Sequence, residues 1–174
     1  MNKKVMFLSL LLTCVSATAE TLNVPVNLVT NDGIGKSIGY ITISDSNYGV
    51  IFTPDLKDLP PGLHGFHIHE NASCSPGISD GKSVAALAAG GHLDPQKTGK
   101  HLGPYDPNGH LGDLPPIYAN NAGIANNPVL APKLSSIQQL HNHSIMIHSG
   151  GDNHSDKPAP LGGGGTRIAC AIIN

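Results

Sequence analysis

Apolar side chains return at every second position along the early part of this chain, and glycine and proline punctuate the runs between them. That rhythm leaves room for strands and little for helices. In "TLNVPVNLVT", Leu22, Val24, Val26 and Leu28 alternate with Thr21, Asn23, Pro25 and Asn27, the period of a strand with one buried face. Pro25 falls on the polar side, which predicts an edge strand or a bulge. "NDGIGKS" supplies turn chemistry, "IGYITIS" reads as a second strand, "DSNYG" as another turn and "VIFTP" as a third strand. This is the opening of an antiparallel meander. With 21 glycines, 14 prolines and no tryptophan, the composition suits strands and long ordered loops. There is no internal repeat, and four consecutive glycines before Thr166 are too few for an interdomain linker.

The first residues do not belong to that meander. "MNKKVMFLSLLLTCVSATAE" sets two lysines before a short apolar run that ends in Ala17, Thr18 and Ala19, the pattern of a secretory signal peptide. A lipoprotein reading of "LLTC" is weakened by the bulk of Thr13. We read residues 1–19 as the signal and residues 20–174 as a single mature domain. No later stretch is apolar for long enough to span a bilayer, so no stable membrane association is expected. Without Lys3 and Lys4, eight basic residues face twelve acidic ones, and the net charge becomes about −4, against a nucleic-acid partner. Cys14 leaves with the signal. Cys74 and Cys170 then have one intramolecular pairing open to them, favoured in an oxidising compartment over two free buried thiols.

"HGFHIHE" at residues 64–70 reads as a further strand, with Phe66 and Ile68 toward the core and His67 and His69 together on the other face. From Asn71 to about Gly112 the periodicity fails, apart from a short helical turn in "SVAALAA". A span of that length without regular structure is functional or disordered. This one holds Cys74, His92, His101 and His110, with Asp113 just beyond, which argues for order imposed by a crosslink and by ligation. "PPIYANNAGIA" reads as strand, turn and strand. In "SIMIHSG", Ile145 and Ile147 point inward while Met146 and His148 point outward. After the loop "GDNHSDKPAPLGGGG", "TRIACAII" closes the chain as a strand.

Ten histidines against three phenylalanines is a heavy use of imidazole. Any one of them alone is more often structural or solvated. Two at i and i+2 on a strand stand at chelating distance, where a core would place apolar groups. His148, outward at a strand end, can join His67 and His69, and an all-imidazole shell suits copper. His92, His101, His110 and Asp113 offer three nitrogens and one carboxylate, a closed tetrahedral set of the kind that binds structural zinc. Together these are seven ligands, one short of two four-coordinate sites. Either one site is three-coordinate or one residue serves both, as the two nitrogens of an imidazole allow.

"HGFHIHE", "AGGHLDP", "KHLGPYDPNGHLGDLP", "IHSGGDN" and "GGGGTRIAC" resemble the copper/zinc superoxide dismutase family of the bacterial secreted type. The resemblance implies a flattened eight-stranded antiparallel Greek-key barrel, an immunoglobulin-like sandwich architecture, with long metal-binding and electrostatic loops. It implies one copper on His67, His69, His92 and His148, one zinc on His92, His101, His110 and Asp113, and a Cys74–Cys170 disulfide. It implies that Arg167, otherwise a solvated strand-end charge, stands over the copper and attracts the superoxide anion, and that His92 takes part in catalysis. Asp152 resembles the carboxylate that binds ligands of both metals, and His64 is expected to brace the backbone. The implied activity is dismutation of superoxide to dioxygen and hydrogen peroxide, protecting the cell envelope, with the protein in the periplasm. The family contains both monomers and homodimers. His141, His143 and His154 fall outside the pattern.

Two rivals stand beside this reading. One is a non-catalytic exported protein that stores or delivers copper, although such sites tend toward thiolate and thioether ligands and the cysteines here look paired. The other is a zinc hydrolase, disfavoured by the closed His₃Asp set and by the lack of an obvious general-base glutamate.

Overall fold

The structure, a computed structural model, describes residues 21–174, so that the signal-peptide reading of residues 1–19 lies outside the described residues. Eleven strands follow one another: β1 (Thr21–Thr30), β2 (Gly33–Ser46), β3 (Gly49–Leu56), β4 (Gly62–His64), β5 (Phe66–His69), β6 (Gly77–Ser79), β7 (Lys82–Val84), β8 (Ile117–Ala119), β9 (Val129–Ala131), β10 (His143–His148) and β11 (Arg167–Ile173). Seven of them form one curled antiparallel sheet in the order β5-β10-β11-β1-β2-β3-β9, and β4–β8 and β6–β7 form two small pairs. The architecture is the all-β Greek-key barrel that the family resemblance implies. Among the described residues no helix is long and apolar enough to cross a membrane.

The inward faces of both ends of the sheet meet in one core, in which Val24, Ile41, Phe52, Phe66, Ile68, Ile145 and Ile147 are buried. Phe52 and Phe66 meet edge to face at 5.6 Å across it. Pro25 lies opposite Tyr40 of β2, on a part of β1 that β11 does not reach, because β11 pairs with β1 only at Asn27 and Leu28. Register shifts follow between Val26 and Asn27 and between Asn27 and Val29, and past them Val29 is buried and Leu28 only partly so. The proline therefore marks both a local edge and the approach to a bulge.

Three details depart from the sequence reading. The stretch after Asn71 contains a hairpin, β6–β7, turning at Asp80 and Gly81, and only Leu87–Ala89 of "SVAALAA" forms a helical (3-10) turn. The strand expected after the turn in "PPIYANNAGIA" is a single bridge between Ala125 and Leu56. The outward faces of β5 and β10 are also not at the surface: His67, His69, Met146 and His148 are all buried, because the loops fold over them. Met146 joins Cys74, Ala85, Ala86, Ala89 and Cys170 in a second small apolar cluster beneath the disulfide loop.

Candidate metal centre

Main-chain pairing places the first three imidazoles. β5 and β10 run antiparallel with Met146 opposite His67 and Ser144 opposite His69, and the His148 amide donates to the Gly65 carbonyl at 2.9 Å. The other edge of β5 is taken by loop backbone. Amide to carbonyl bonds run from Leu93 to Ile68 (2.8 Å), from Ile68 to Gly112 (2.9 Å) and from Glu70 to Gly91 (3.0 Å), which sets His92 beside His69 and Asp113 beside His67. A Cβ on Gly112 would come within 2.3 Å of the Ile68 carbonyl oxygen, so this approach requires glycine.

Two quartets result, His67, His69, His92 and His148, and His92, His101, His110 and Asp113, with the donor atoms of each quartet within 4.8 Å of one another. The donor chemistry passes a specific test. Buried polar atoms normally have partners, yet His67 Nδ1, His69 Nε2, His92 Nε2 and His148 Nε2 have none in the protein. The other set crowds its donors together instead: His92 Nδ1, His101 Nδ1 and His110 Nδ1 lie 2.9, 3.0 and 3.3 Å from the single oxygen Asp113 Oδ1. The opposite ring nitrogens are engaged: His67 Nε2 with Asp152 (2.8 Å), His69 Nδ1 with the Gly90 carbonyl (3.0 Å), His148 Nδ1 with the Gly165 carbonyl (3.3 Å) and His101 Nε2 with Asp152 (2.8 Å). Fixing one nitrogen of an imidazole is how proteins aim the other at a metal. His92 alone serves both quartets, its Nδ1 lying 2.9 Å from Asp113 Oδ1 while its Nε2 turns to the all-imidazole set. The residues fit copper in the four-nitrogen set and zinc in the His₃Asp set.

Charge is distributed unequally between the two sets. Burial, followed by the neighbouring imidazole of His92, pushes His67 down to about 3 and holds His69 well below its usual value. Burial likewise takes His148 down to about 4. These rings stay neutral at ordinary pH, the form that ligates. Arg167 adds to the depression of His69 and His148, so its charge is felt in the four-nitrogen set. In the other set burial also works to lower His101, but hydrogen bonds with Asp113 and Asp152 outweigh it and hold the ring up at about 9. Burial alone would raise Asp113 and Asp152; their imidazole partners bring both far below the usual carboxylate range.

Around the quartets, Asp152 joins the two sets by taking His67 on one oxygen and His101 on the other, and the His154 amide donates to it at 2.7 Å. A Cβ on Gly162 would lie 2.0 Å from Asp152 Oδ1, so the loop closes over the carboxylate only with glycine there. The fully buried His64 ring spans the carbonyls of Pro60 and His148, 2.7 Å from each. The half-buried Arg167 guanidinium donates to the carbonyls of Ala86 (2.5 Å) and Gly90 (2.6 Å). Cys74 and Cys170 are bonded to each other, tying the loop that carries those carbonyls to β11. His141 and His143 turn to the carbonyls of Asn174 and Glu70, and neither they nor His154 join a metal-binding group among the described residues. Sequence reasoning missed Asp156, whose carboxylate takes the His101 amide at 3.0 Å, and Lys133, which reaches the loop carbonyls of Gly103 and His110. Neither stands in a motif, and both act across long sequence separations.

A family profile described as "Copper/zinc superoxide dismutase (SODC)" matches residues 37–173. A relative named Superoxide dismutase [Cu-Zn] 1 from Salmonella typhimurium is 58% identical over 163 residues, covering 94% of this chain and 92% of its own length. The solved copper/zinc superoxide dismutase of Brucella abortus superposes with a TM-score of 0.87 at 49% identity, over 89% of this chain and all of that one. A solution structure of the copper, zinc superoxide dismutase from Salmonella enterica, described as monomeric, gives 0.81 at 59% identity over the same shares.

Proposed function

This chain belongs to the copper/zinc superoxide dismutase family, and from that premise we propose that it dismutes superoxide with copper among His67, His69, His92 and His148 and zinc among His92, His101, His110 and Asp113. The observation that carries the assignment is the pair of adjoining quartets that share His92: four buried ring nitrogens without a partner in one, and three that converge on Asp113 Oδ1 in the other. Copper bound there supplies one-electron redox chemistry, while zinc, without redox chemistry of its own, constrains His92 and the loop around it.

The overall conversion takes two superoxide anions and two protons to one dioxygen and one hydrogen peroxide. The chain's own residues contribute attraction, orientation and protons. Arg167 keeps a permanent charge beside the four-nitrogen set, and its fork is fixed by two carbonyl acceptors, which suits it to draw in and orient a small oxyanion. His92 Nε2 has no hydrogen-bond partner in the protein, so whenever it is not engaged as a copper ligand it would be the atom placed to hold a proton and hand it to the reduced substrate, while Nδ1 stays against Asp113. Asp152 locks the rings of His67 and His101 and so keeps the two quartets in register.

We take residues 20–174 as the mature domain and the periplasm as its compartment, where the activity protects the cell envelope. The signal-like first residues and the Cys74–Cys170 disulfide support an oxidising location. All seven ligands come from one chain, so the homodimer that the family admits is not needed to complete the site. The relatives give no support to copper storage as the function. The test is metal analysis of protein from the exported fraction, coupled to a superoxide assay before and after chelation. We expect about one copper and one zinc per chain and an activity above that of free copper which chelation removes; copper content without such activity would contradict the reading.

A further inference from the structure

The segment from Asp94 to Gly112 bears His101 and His110 yet contains no strand, and one side chain from outside it reaches two of its carbonyls. Lys133 follows β9 on backbone anchored by the buried Ala131 and Leu134. Its half-buried ammonium donates to the carbonyl of Gly103 at 2.8 Å and to that of His110 at 2.5 Å. Both acceptors belong to the zinc set's frame. The Gly103 amide donates to Asp113 Oδ2 at 3.2 Å, and His110 brings its own Nδ1 to the quartet while its carbonyl also accepts from the Asp113 amide at 3.3 Å.

We propose that Lys133 is a positioning residue of the zinc set, a clamp that holds the carbonyls of Gly103 and His110 at a fixed separation and thereby keeps His110 and Asp113 aimed at one ion. This rests on the assignment of His92, His101, His110 and Asp113 to zinc. An ammonium has the wrong sign to attract a dication, so its contribution to affinity is geometric and outweighs its repulsion. Bonds from a charged donor to buried carbonyls are among the stronger ones a loop can form, and this loop has no ladder to replace them. Asp113, Asp106 and Asp94 lie close enough to offset part of the cost of burying the charge.

The experiment uses the mature protein, stripped by chelation and titrated with Zn²⁺ against a chromophoric chelator, then separately with Cu²⁺. Lys133→Met, which keeps the stem and removes the donors, is expected to bind Zn²⁺ about 10- to 100-fold more weakly, the usual cost of losing an outer partner of a metal site. Its copper affinity stays within about threefold, and Lys133→Arg recovers most of the zinc affinity. A merely structural role would weaken both metals together. The proposal is overturned if Lys133→Met binds Zn²⁺ as tightly as the parent, if both metals weaken equally, or if arginine fails to rescue. Should Lys133→Met not fold, Lys133→Gln is judged by the same criteria. A parent protein that takes up no Zn²⁺ would instead overturn the zinc assignment itself, which separates the two failures.

Discussion

His67, His69 and His148 stand on paired strands, whereas His92, His101, His110 and Asp113 come from chain with no strand of its own, and the two groups are held by different physics. The first three are placed by the β5–β10 ladder, so that backbone register alone fixes their spacing. The others borrow three main-chain bonds from the free edge of β5, add a few within the loop, such as those from the His110 amide to the Lys100 carbonyl and from the Gly112 amide to the Leu93 carbonyl, and depend further on side chains: Asp152 and Asp156 on His101, and Asp113 on the amides of Leu102 and Gly103. Electrostatics divide along the same line. Burial drives the strand-borne rings neutral, whereas carboxylates hold His101 toward its charged form. A ladder organises ligands before any ion arrives; a loop needs crosslinks, carboxylates and the ion itself. The strand-borne half should therefore tolerate loss of the loop half better than the reverse.

The largest effect we expect is from His148→Ala. Activity falls by more than the roughly 100-fold that loss of an outer partner costs, with loss of copper, while zinc affinity changes by only a few fold. Equal loss of both metals, read by competition with a chelator, would show that the halves are not separable. Removing the disulfide by Cys74→Ala with Cys170→Ala releases a crosslink spanning 96 positions and should cost about 2–5 kcal/mol in denaturant unfolding. Hydrogen exchange should then show protection lost around residues 74–90 and kept in β5 and β10. Asp152→Asn sharpens the comparison, because one carboxylate serves both sets. Zinc affinity should drop about 10- to 100-fold, with a smaller loss for copper, whose other ligands the ladder holds.

Arg167→Ala should retain both metals and lose about tenfold in rate, at the low end of what electrostatic steering supplies, with a flatter dependence on ionic strength. Full activity with an unchanged salt dependence would remove Arg167 from the mechanism. The smallest effect is on pH dependence in chelator-treated protein. His67 at about 3 and His148 at about 4 are depressed in the folded chain, so the unfolded chain binds more protons below about 6.5, and their contribution to stability falls as pH drops from there toward 4. His101, raised to about 9, contributes fully below about 6.5, and that contribution is lost as pH rises through 9. His101→Gln should abolish the alkaline loss and leave the acid one, as followed by denaturation midpoints across pH.

What could be read in advance follows from range. Period-two alternation marked β1, β5 and β10, since a strand's faces are encoded in neighbouring residues. The count of seven ligands left open either a three-coordinate site or a shared residue; the resemblance singled out His92, and its two nitrogens turn to different quartets. The β6–β7 hairpin was missed although Asp80-Gly81 is a turn signal, because its strands are only three residues long. Burial of the outward faces of β5 and β10 depends on loops from distant sequence. So do the partners Asp156 and Lys133, 55 and 23 to 30 positions from what they hold, and no local pattern announces them.

The central claim is that two unlike ions lie side by side with His92 between them. A crystal structure of metal-loaded protein with anomalous scattering recorded at the copper and zinc edges tests it most directly. The account predicts a copper signal among His67, His69, His92 and His148, a zinc signal among His92, His101, His110 and Asp113, and the His92 ring facing both. A single ion, or two ions with His92 on neither, would contradict it.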